Sequence, residues 1–327
     1  MSDPAESPIF TDDDDDHHGH LAGDEWWFTE TAWFSWHHAE RGLGGWLYTM
    51  IRHNIGTVAG GAWVWDDSAL LPWEVLYSSN LTALPFDLAC DLRDCELPNG
   101  VSMRVEAPRR SYRLGYDDPG RLELDLSFEA VTDPRPLVAS GSTFGRAAHF
   151  DQIGRVRGEV AVAGKRLEID CWSMRDRTWG RRPENRPRQA AYVTAAADGG
   201  RGFLAVTNTR EGQDRIAYGF VQREDQQVAL VDGSRSVRRN PAEGFVDSIE
   251  IDGVDGEGGR FRARGTSVSR IFINRHSFID INSLIRWELL DERGIETGDV
   301  WWGEDQDMWP VHRWSAARRS LDWSLPT

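Results

Sequence analysis

Apolar and polar residues alternate with a period of two along most of the chain. In RLELDLSFEAV, residues 121–131, four apolar side chains share one face: Leu122, Leu124, Leu126 and Phe128. Polar or charged residues occupy the positions between them. Successive side chains of a β-strand point to opposite faces, so the pattern predicts a strand with one buried face.

Other segments repeat this pattern, and few have helical spacing. Residues 158–172, GEVAVAGKRLEIDCW, contain two alternating runs joined across Ala163, Gly164 and Lys165, which predicts a hairpin. Further strand candidates, separated by Gly, Asp and Asn, are AAYVTAA, GFLAVTNT, IAYGFVQR, QQVALVD, FVDSIEID, RFRARGTSV, RIFINRHSFIDINS and LIRWELLDE. Only MWPVHRWSAARRSL, residues 308–321, predicts a helix. The pattern indicates an all-β chain of sandwiches or barrels.

A stretch bearing Pro and Gly, TDPRPLVASGSTFGR at 132–146, divides the chain near its midpoint. The two parts are similar in length and both β-rich, although no internal repeat relates them. We therefore predict an acidic N-terminal segment at 1–24, an N-terminal β-barrel at 25–145 and a C-terminal β-barrel at 146–327.

The charge of the chain narrows the class of partner. The formal net charge is -16, and ten acids but no Lys or Arg lie in residues 1–30. Binding to nucleic acid depends on cationic side chains, so a nucleic-acid partner is not expected. No apolar run reaches the roughly 18 residues of a membrane span. The acidic N-terminus does not resemble a secretory signal, so we expect a cytoplasmic protein. The expected partner is a small molecule, and the oligomeric state stays open.

Several familiar catalytic motifs are absent from the sequence. It contains no G-x-S-x-G, H-E-x-x-H or G-x-x-x-x-G-K-[ST] motif, and no G-x-G-x-x-G between a strand and a helix. We therefore expect no nucleotide, nicotinamide or flavin cofactor. The 16 tryptophans are suited either to a large apolar cavity or to ordinary core packing.

The block at 149–182, HFDQIGRVRGEVAVAGKRLEIDCWSMRDRTWGRR, combines the predicted hairpin with a D-x-x-W-G pattern formed by Asp176, Trp179 and Gly180. It resembles the central block of the carotenoid 1,2-hydratase-like (AttH-like) superfamily. A second mark of that superfamily, near its N-terminus, is a Glu followed by aromatic residues. Two placements fit this mark: Glu30 with Trp33 and Phe34, or Glu25 with Trp26, Trp27 and Phe28.

The resemblance implies two lipocalin-like barrels packed together. It also implies an activity related to those of superfamily members, which include hydratases of isoprenoid double bonds and related cyclases. We therefore predict a cofactor-independent hydratase, dehydratase, isomerase or cyclase for a hydrophobic isoprenoid-like or polycyclic substrate. The alternatives are a non-catalytic carrier of such a molecule and an accessory domain that binds a polar ligand or a metal.

Asp176 is the candidate proton donor. An acid that protonates an alkene must be neutral, and burial or a nearby carboxylate favours that form, whereas arginines oppose it. Strand alternation predicts that Asp176 faces an indole-lined hollow inside the barrel together with Trp172, while Arg175 and Arg177 face water. Aromatic faces there would stabilise a carbocation. The alternative is an ion pair that anchors the strand.

Other residues complete the predicted site. Glu30 is the candidate second carboxylate, and His149 and Gln152 are expected to orient water or Asp176, unless His149 is a buried core residue. The predicted substrate-binding residues are Glu25, Trp27, Trp33, Trp36, Gln152, Trp172, Trp179, His276, Asp280 and Trp302.

Two charged segments have two interpretations each. RDRTWGRRPENRPR, residues 175–188, carries a local charge of +4 and either grips an anionic substrate tail or neutralises the acidic N-terminus. DDDDDHHGH, residues 12–20, has the ligand chemistry of a cation site, but acidic runs near termini are usually solvated. We therefore assign no metal ligand.

Overall fold

A computed structural model describes residues 10–134, 148–183, 189–223, 226–275, 278–291 and 293–324. Strands dominate it, and two sheets account for nearly all of them. No helix among these residues is both long and apolar enough to cross a membrane. The predicted all-β fold class with little helix is confirmed.

The first sheet is an open, curled sheet of ten antiparallel strands. Its strands are β1 (Phe28–His38), β2 (Leu43–Arg52), β3 (Thr57–Trp65), β4 (Tyr77–Pro85), β5 (Asp94–Glu96), β6 (Val101–Ala107), β7 (Ser111–Asp118), β8 (Leu122–Ala130), β9 (Ala148–Val162) and β10 (Lys165–Arg181). Their order in the sheet is β4-β3-β2-β1-β10-β9-β8-β7-β6-β5, so β1 pairs with β10 at the centre.

The second sheet is a closed barrel of eight strands that pair in sequence order. Its strands are β11 (Ala190–Ala197), β12 (Arg201–Arg210), β13 (Gln213–Arg223), β14 (Gln226–Arg239), β15 (Val246–Asp255), β16 (Arg260–Arg275), β17 (Phe278–Leu290) and β18 (Glu296–Pro310). The predicted C-terminal helix follows as α1 (Val311–Ser320).

The predicted hairpin at 158–172 is present and extends well beyond those bounds. Its turn residues Ala163 and Gly164 have φ angles of 51° and 74°, values that suit a two-residue hairpin turn. Both of its strands, β9 and β10, pair within the first sheet. The chain therefore changes sheet between Arg181 and Ala190, later than the predicted domain boundary at 145/146.

Apolar side chains fill three regions. Strand β8 buries Leu122, Leu124, Leu126 and Phe128, as its alternation predicts, in the core enclosed by the first sheet. A second cluster fills the closed barrel. A third, rich in Trp and Tyr, lies between the outer faces of the two sheets, and we name this region the seam.

The acidic segment at 12–20 is not a solvated tail, so that expectation was wrong. The side chain of Asp15 is 2% exposed, and its Oδ1 accepts hydrogen bonds from the Tyr112 hydroxyl at 2.7 Å and from Arg175 Nη2 at 3.3 Å. Arg177 Nη2 donates to the backbone oxygen of Asp16 at 2.8 Å. The segment therefore packs against the inner face of the first sheet, where it supplies polar and anionic partners to the buried arginines.

Candidate functional site

The two faces of β10 have opposite chemistry. In the pairing of β1 with β10, Asp176 lies beside Trp33, and both side chains project into the seam. Arg175 and Arg177 project the other way, as alternation predicts. They do not reach water, however, because their exposed fractions are only 1% and 2%. The prediction that they face solvent was wrong, since the acidic N-terminal segment covers that face.

Arg175 is held inside the first sheet by aromatic rings and one amide. Its guanidinium carbon lies 4.0 Å from the ring centroid of Tyr112 and 5.0 Å from that of Phe150. Its Nε donates to Gln152 Oε1 at 2.9 Å, and Gln152 Nε2 donates to the backbone oxygens of Arg109 and Thr132. Gln152 therefore supports this core and does not face Asp176.

Glu30 is the centre of a buried ionic cluster on the same inner face. Its carboxylate accepts hydrogen bonds from His18 Nδ1 and His53 Nε2, both at 2.8 Å, and from Arg177. Burial raises the pKa of Glu30, but the Arg177 guanidinium and the two histidines outweigh burial and hold that pKa well below its usual range. Glu30 and Asp176 thus lie on opposite faces of the sheet, and Glu30 is a poor proton donor.

Asp176 lies in the wall of a seam cavity of about 80 Å³. Both sheets contribute to this wall, which comprises Thr31, Trp33, Tyr48, Asp176, Arg182, Tyr192, Arg275, Phe278, Asp280, Gln306 and Met308. The cavity is therefore formed by the outer faces of the sheets, whereas we had predicted a hollow inside a barrel. Its volume accommodates a few waters or a small unsaturated group.

A chain of close polar contacts leads to Asp176 from behind the cavity wall. The Tyr192 hydroxyl donates to Asp151 Oδ1, and the other oxygen of Asp151 lies 2.7 Å from His149 Nε2. His149 Nδ1 lies 2.6 Å from the hydroxyl of Thr178, which donates to Asp176 Oδ2 at 3.3 Å. Strand register explains the grouping, because His149 pairs with Thr178 and Asp151 with Asp176 on one face of β9 and β10.

The electrostatics of this cluster raise the pKa of Asp176 towards neutral pH. Burial and the charge of Asp151 raise the pKa of Asp176 to about 6, against the opposing effect of His149. The pKa of His149 is also raised, because attraction to Asp151 outweighs the lowering by burial. Oδ1 of Asp176 has no hydrogen-bond partner among the described residues. The cluster thus holds exchangeable protons near neutral pH, with one carboxyl oxygen available to a ligand.

The barrel side of the seam carries two more buried acids. Asp280 is 1% exposed, and burial raises its pKa to about 6 even though Arg275 Nε lies 3.2 Å from its Oδ2. Glu304 Oε2 accepts hydrogen bonds from Trp46 Nε1 at 2.6 Å and Asn282 Nδ2 at 3.0 Å. Burial raises the pKa of Glu304 to about 8, so this acid is largely neutral at pH 7.

Four of the predicted site residues meet at or behind this cavity: Asp176, His149, Trp33 and Asp280. Two others line a separate open groove of about 670 Å³ at the far end of the seam, where Trp302 stacks on His37 with ring centroids 5.7 Å apart and Trp172 lies nearby. His276 lies outside the described residues.

The remaining predicted residues lie on or near the inner face of the first sheet. Trp36 is in its apolar core, and Trp179 stacks on His18 with ring centroids 3.8 Å apart. At the rim, Glu25 Oε2 accepts a hydrogen bond from Arg181 at 3.0 Å, and Trp27 lies beneath the guanidinium of Arg52. None of these residues lines the cavity next to Asp176.

The sequence interpretation missed Asp151, Tyr48, Tyr192 and Arg275. Asp151 could have been predicted from the sequence, because it stands two residues after His149 on a strand and therefore shares the same face. The same rule excludes Gln152 from that face. The seam positions of the other three depend on how the sheets pack, which alternation does not report.

One group of side chains could hold a cation. The ligand atoms of His149, Asp151 and Asp176 lie within 4.8 Å of one another, and one imidazole with two carboxylates is a donor set that suits a divalent transition metal. The contact between His149 Nε2 and Asp151 Oδ2 places two of these ligand atoms 2.7 Å apart. The residues at 12–20 that we had considered for this role instead bond to arginines and Glu30.

Comparison with known structures supports the fold. The kievitone hydratase of Nectria haematococca is 12% identical, with a TM-score of 0.58 and 94% coverage of both chains. An AttH-like protein of Nitrosomonas europaea is 12% identical, with a TM-score of 0.55 and coverage of 93% of this chain and 98% of that one. CghA in complex with Sch210972 is 10% identical, with a TM-score of 0.53 and coverage of 86% and 87%.

These likenesses show that the chain shares the all-β fold of these proteins, in agreement with the fold that the sequence resemblance implied. No curated protein matches the sequence. The model of the DUF7064 family, a domain of unknown function, matches residues 12–294, and the chain therefore belongs to that family.

Proposed function

We propose that the protein is a cofactor-independent hydro-lyase or isomerase, with Asp176 as its acid–base residue. The substrate is a largely apolar molecule with a reactive double bond, of an isoprenoid-like or polycyclic class. The observation that carries this proposal is a mostly buried carboxyl group in the wall of a seam cavity, with a pKa raised to about 6 and one oxygen without a hydrogen-bond partner among the described residues. The likeness in fold to kievitone hydratase supports hydration as the reaction.

In the hydration direction, Asp176 transfers its proton to one alkene carbon while the oxygen of a water molecule bonds to the other. The aspartate formed in this step then accepts the surplus proton of the bound water, so a single carboxyl group is regenerated after each turnover. Dehydration is the same sequence reversed. In isomerisation, the aspartate removes a proton from a neighbouring carbon instead.

His149 and Asp151 act as positioning residues in this scheme. The imidazole, held by the Asp151 carboxylate, fixes the hydroxyl of Thr178, which in turn orients Oδ2 of Asp176. This leaves Oδ1 for the substrate. The negative charge of Asp151 also keeps the pKa of Asp176 high enough for proton donation.

The packing of both sheets favours this proposal over a carrier. A carrier of the lipocalin type requires an open lumen, whereas among the described residues apolar side chains fill the first sheet and, together with the buried ion pairs of Arg235 with Asp305 and Asp307, the closed barrel. The cavity next to Asp176 lies instead at the seam, beside titratable groups. Chemistry on one part of a substrate suits this geometry better than storage of a whole molecule.

The test is isotope incorporation from H₂¹⁸O into a panel of prenylated, terpenoid and polycyclic alkenes, followed by mass spectrometry. We expect Asp176→Asn to lower turnover by about 10²- to 10⁴-fold, the usual size of a general acid–base contribution. Asp170→Asn is the matched control, because Asp170 stands on the same strand with a side chain 46% exposed. Equal activity of Asp176→Asn and the native protein would refute the proposal.

A further inference from the structure

A second cavity, of about 90 Å³, adjoins the one next to Asp176. The two cavities share four lining residues, which therefore form the junction between them: Tyr48, Arg182, Arg275 and Phe278. The junction thus brings two guanidinium groups and two aromatic rings together, close to the candidate acid.

The guanidinium of Arg275 is held in place by both sheets. Its carbon lies 4.7 Å from the ring centroid of Tyr48 on β2, and its Nε lies 3.2 Å from Asp280 Oδ2 on β17. Arg182 Nη1 donates to Thr31 Oγ1 at 2.9 Å. Donors fixed in this way lose little side-chain entropy when a ligand binds.

Much of the second cavity's wall beyond the junction is apolar, with Met50, Ala59, Trp63 and Ile273 among its residues. Gly60 also lines it, at φ 101°, where a Cβ would meet the backbone oxygen of Tyr48 at 2.2 Å. A substrate that spans both cavities would therefore place an apolar chain in the second cavity and a polar group at the junction.

Building on the function proposed above, we propose that the substrate carries a carboxylate or a carbonyl group conjugated with its double bond, and that Arg275 and Arg182 bind the oxygen of that group. The adjacent carbons then lie in the cavity next to Asp176. The substrate class is an α,β-unsaturated acid or ketone with an apolar chain.

The charges at the junction support this class. A carbocation next to two guanidinium groups would be repelled, and the face of Tyr48 is already occupied by Arg275. Negative charge on a carbonyl oxygen would instead be stabilised by fixed cationic donors.

The reaction balances without a further reactant. Water oxygen bonds to the β-carbon, and the electron pair of the double bond moves to give an enolate whose oxygen faces the guanidinium groups. Asp176 protonates the α-carbon, and the resulting carboxylate takes the surplus proton from the added water. The product is the β-hydroxy acid or ketone, and the reverse reaction is its dehydration.

Binding of geranate and geraniol, which share one apolar chain, tests this inference by the quenching of tryptophan fluorescence. We expect the native protein to bind geranate about tenfold or more tightly than geraniol, since guanidinium groups form strong, charge-assisted hydrogen bonds with carboxylates. Arg275→Met should reduce the two affinities to within about twofold of each other. Arg264→Met, on the same strand with a side chain 44% exposed, should keep the preference.

A second variant covers the case in which loss of Arg275 leaves Asp280 uncompensated and prevents folding. Arg275→Met combined with Asp280→Asn removes both charges of the pair, and the preference should again disappear. The inference is overturned if geraniol binds as tightly as geranate, if neither binds saturably, or if the Arg275 variants keep the preference.

Asp176→Asn separates this inference from the proposed function, because the assay measures binding without turnover. A preference for geranate in this variant supports the inference even if no hydration is ever observed. Hydration of alkenes that lack a carbonyl group, together with equal binding of the two probes, would instead uphold the function and overturn the inference.

Discussion

Glu30 and Asp176 stand on adjacent paired strands, and their pKa values shift in opposite directions. Both side chains are largely removed from water, with exposed fractions of 0% and 14%. Glu30 contacts Arg177 and two histidines, whereas the nearest acid to Asp176 is the carboxylate of Asp151. Burial raises the pKa of both acids, and only the cationic and hydrogen-bonding neighbours of Glu30 reverse this effect, so those neighbours decide which buried acid stabilises the fold and which can exchange a proton.

The largest expected effect concerns the ionic cluster. Arg177→Met leaves the Glu30 carboxylate buried without its guanidinium, so we expect the free energy of unfolding to fall by about 3–5 kcal/mol. Urea denaturation followed by tryptophan fluorescence measures this change. Arg166→Met is the control, because Arg166 lies on the same strand with a side chain 65% exposed and should change stability by less than about 1 kcal/mol. If Arg177→Met unfolds with the same free energy as the native protein, the ion pair of Glu30 does not stabilise the fold, and the contrast with Asp176 is wrong.

A second effect extends the comparison to Glu304, which has hydrogen bonds but no cationic partner among the described residues. Its pKa is raised from 4.5 to about 8, so its contribution to stability is complete below pH 4.5 and is lost as the pH rises through 8. The difference across this window is of the order of 4 kcal/mol.

Glu304→Gln keeps an acceptor for Trp46 and Asn282 and should abolish this loss. The measurement is the free energy of unfolding at pH 5 and pH 8, with the exposed Glu296→Gln as control. An unchanged pH dependence in Glu304→Gln would show that the carboxyl group is not held neutral by burial.

The smallest expected effect concerns the neutralisation of Asp176 and Glu30, which should change the free energy of unfolding in opposite directions. The pKa of Asp176 is raised from 3.8 to about 6, so ionisation destabilises the fold as the pH rises through this window. Asp176→Asn should therefore stabilise the protein at pH 7, by about 1–2 kcal/mol. Glu30→Gln should destabilise it, because the lowered pKa of Glu30 contributes stability above pH 4.5 that is lost on acidification. Thermal unfolding of both variants at pH 7 measures the contrast, and shifts of equal sign would contradict it.

Strand alternation predicted much of the fold from the sequence, because it depends only on local geometry. It placed the apolar face of β8, the hairpin turn at Gly164 and the opposite orientations of Asp176 and Arg175. It could not show which face of a strand is enclosed. In the first sheet both faces are covered, one by the acidic N-terminal segment and the other by the barrel, so a residue that faces away from the seam is still buried.

Less of the candidate site was predictable. Asp176, His149, Trp33 and Asp280 were proposed from the sequence and lie at or behind the seam cavity, although the proposals of Asp176 and His149 rested partly on the family resemblance and residue type. Glu30 was predicted as the second carboxylate but lies on the opposite face of the sheet. The sequence motif gives no indication of its cationic partners, which come from β10 and the N-terminal segment. Arg275 and Tyr192 were missed because their proximity to Asp176 arises only when the barrel packs against the first sheet.

The location of the cavity on the outer surfaces of two separately packed units has a consequence for divergence within the family. Substitutions at Gln306 or Met308 would reshape the cavity without touching the residues that fill either interior. For the proposed enzyme, selectivity can therefore drift between relatives while much of the thermal tolerance is preserved, since the cavity wall shares no side chain with the two interior cores.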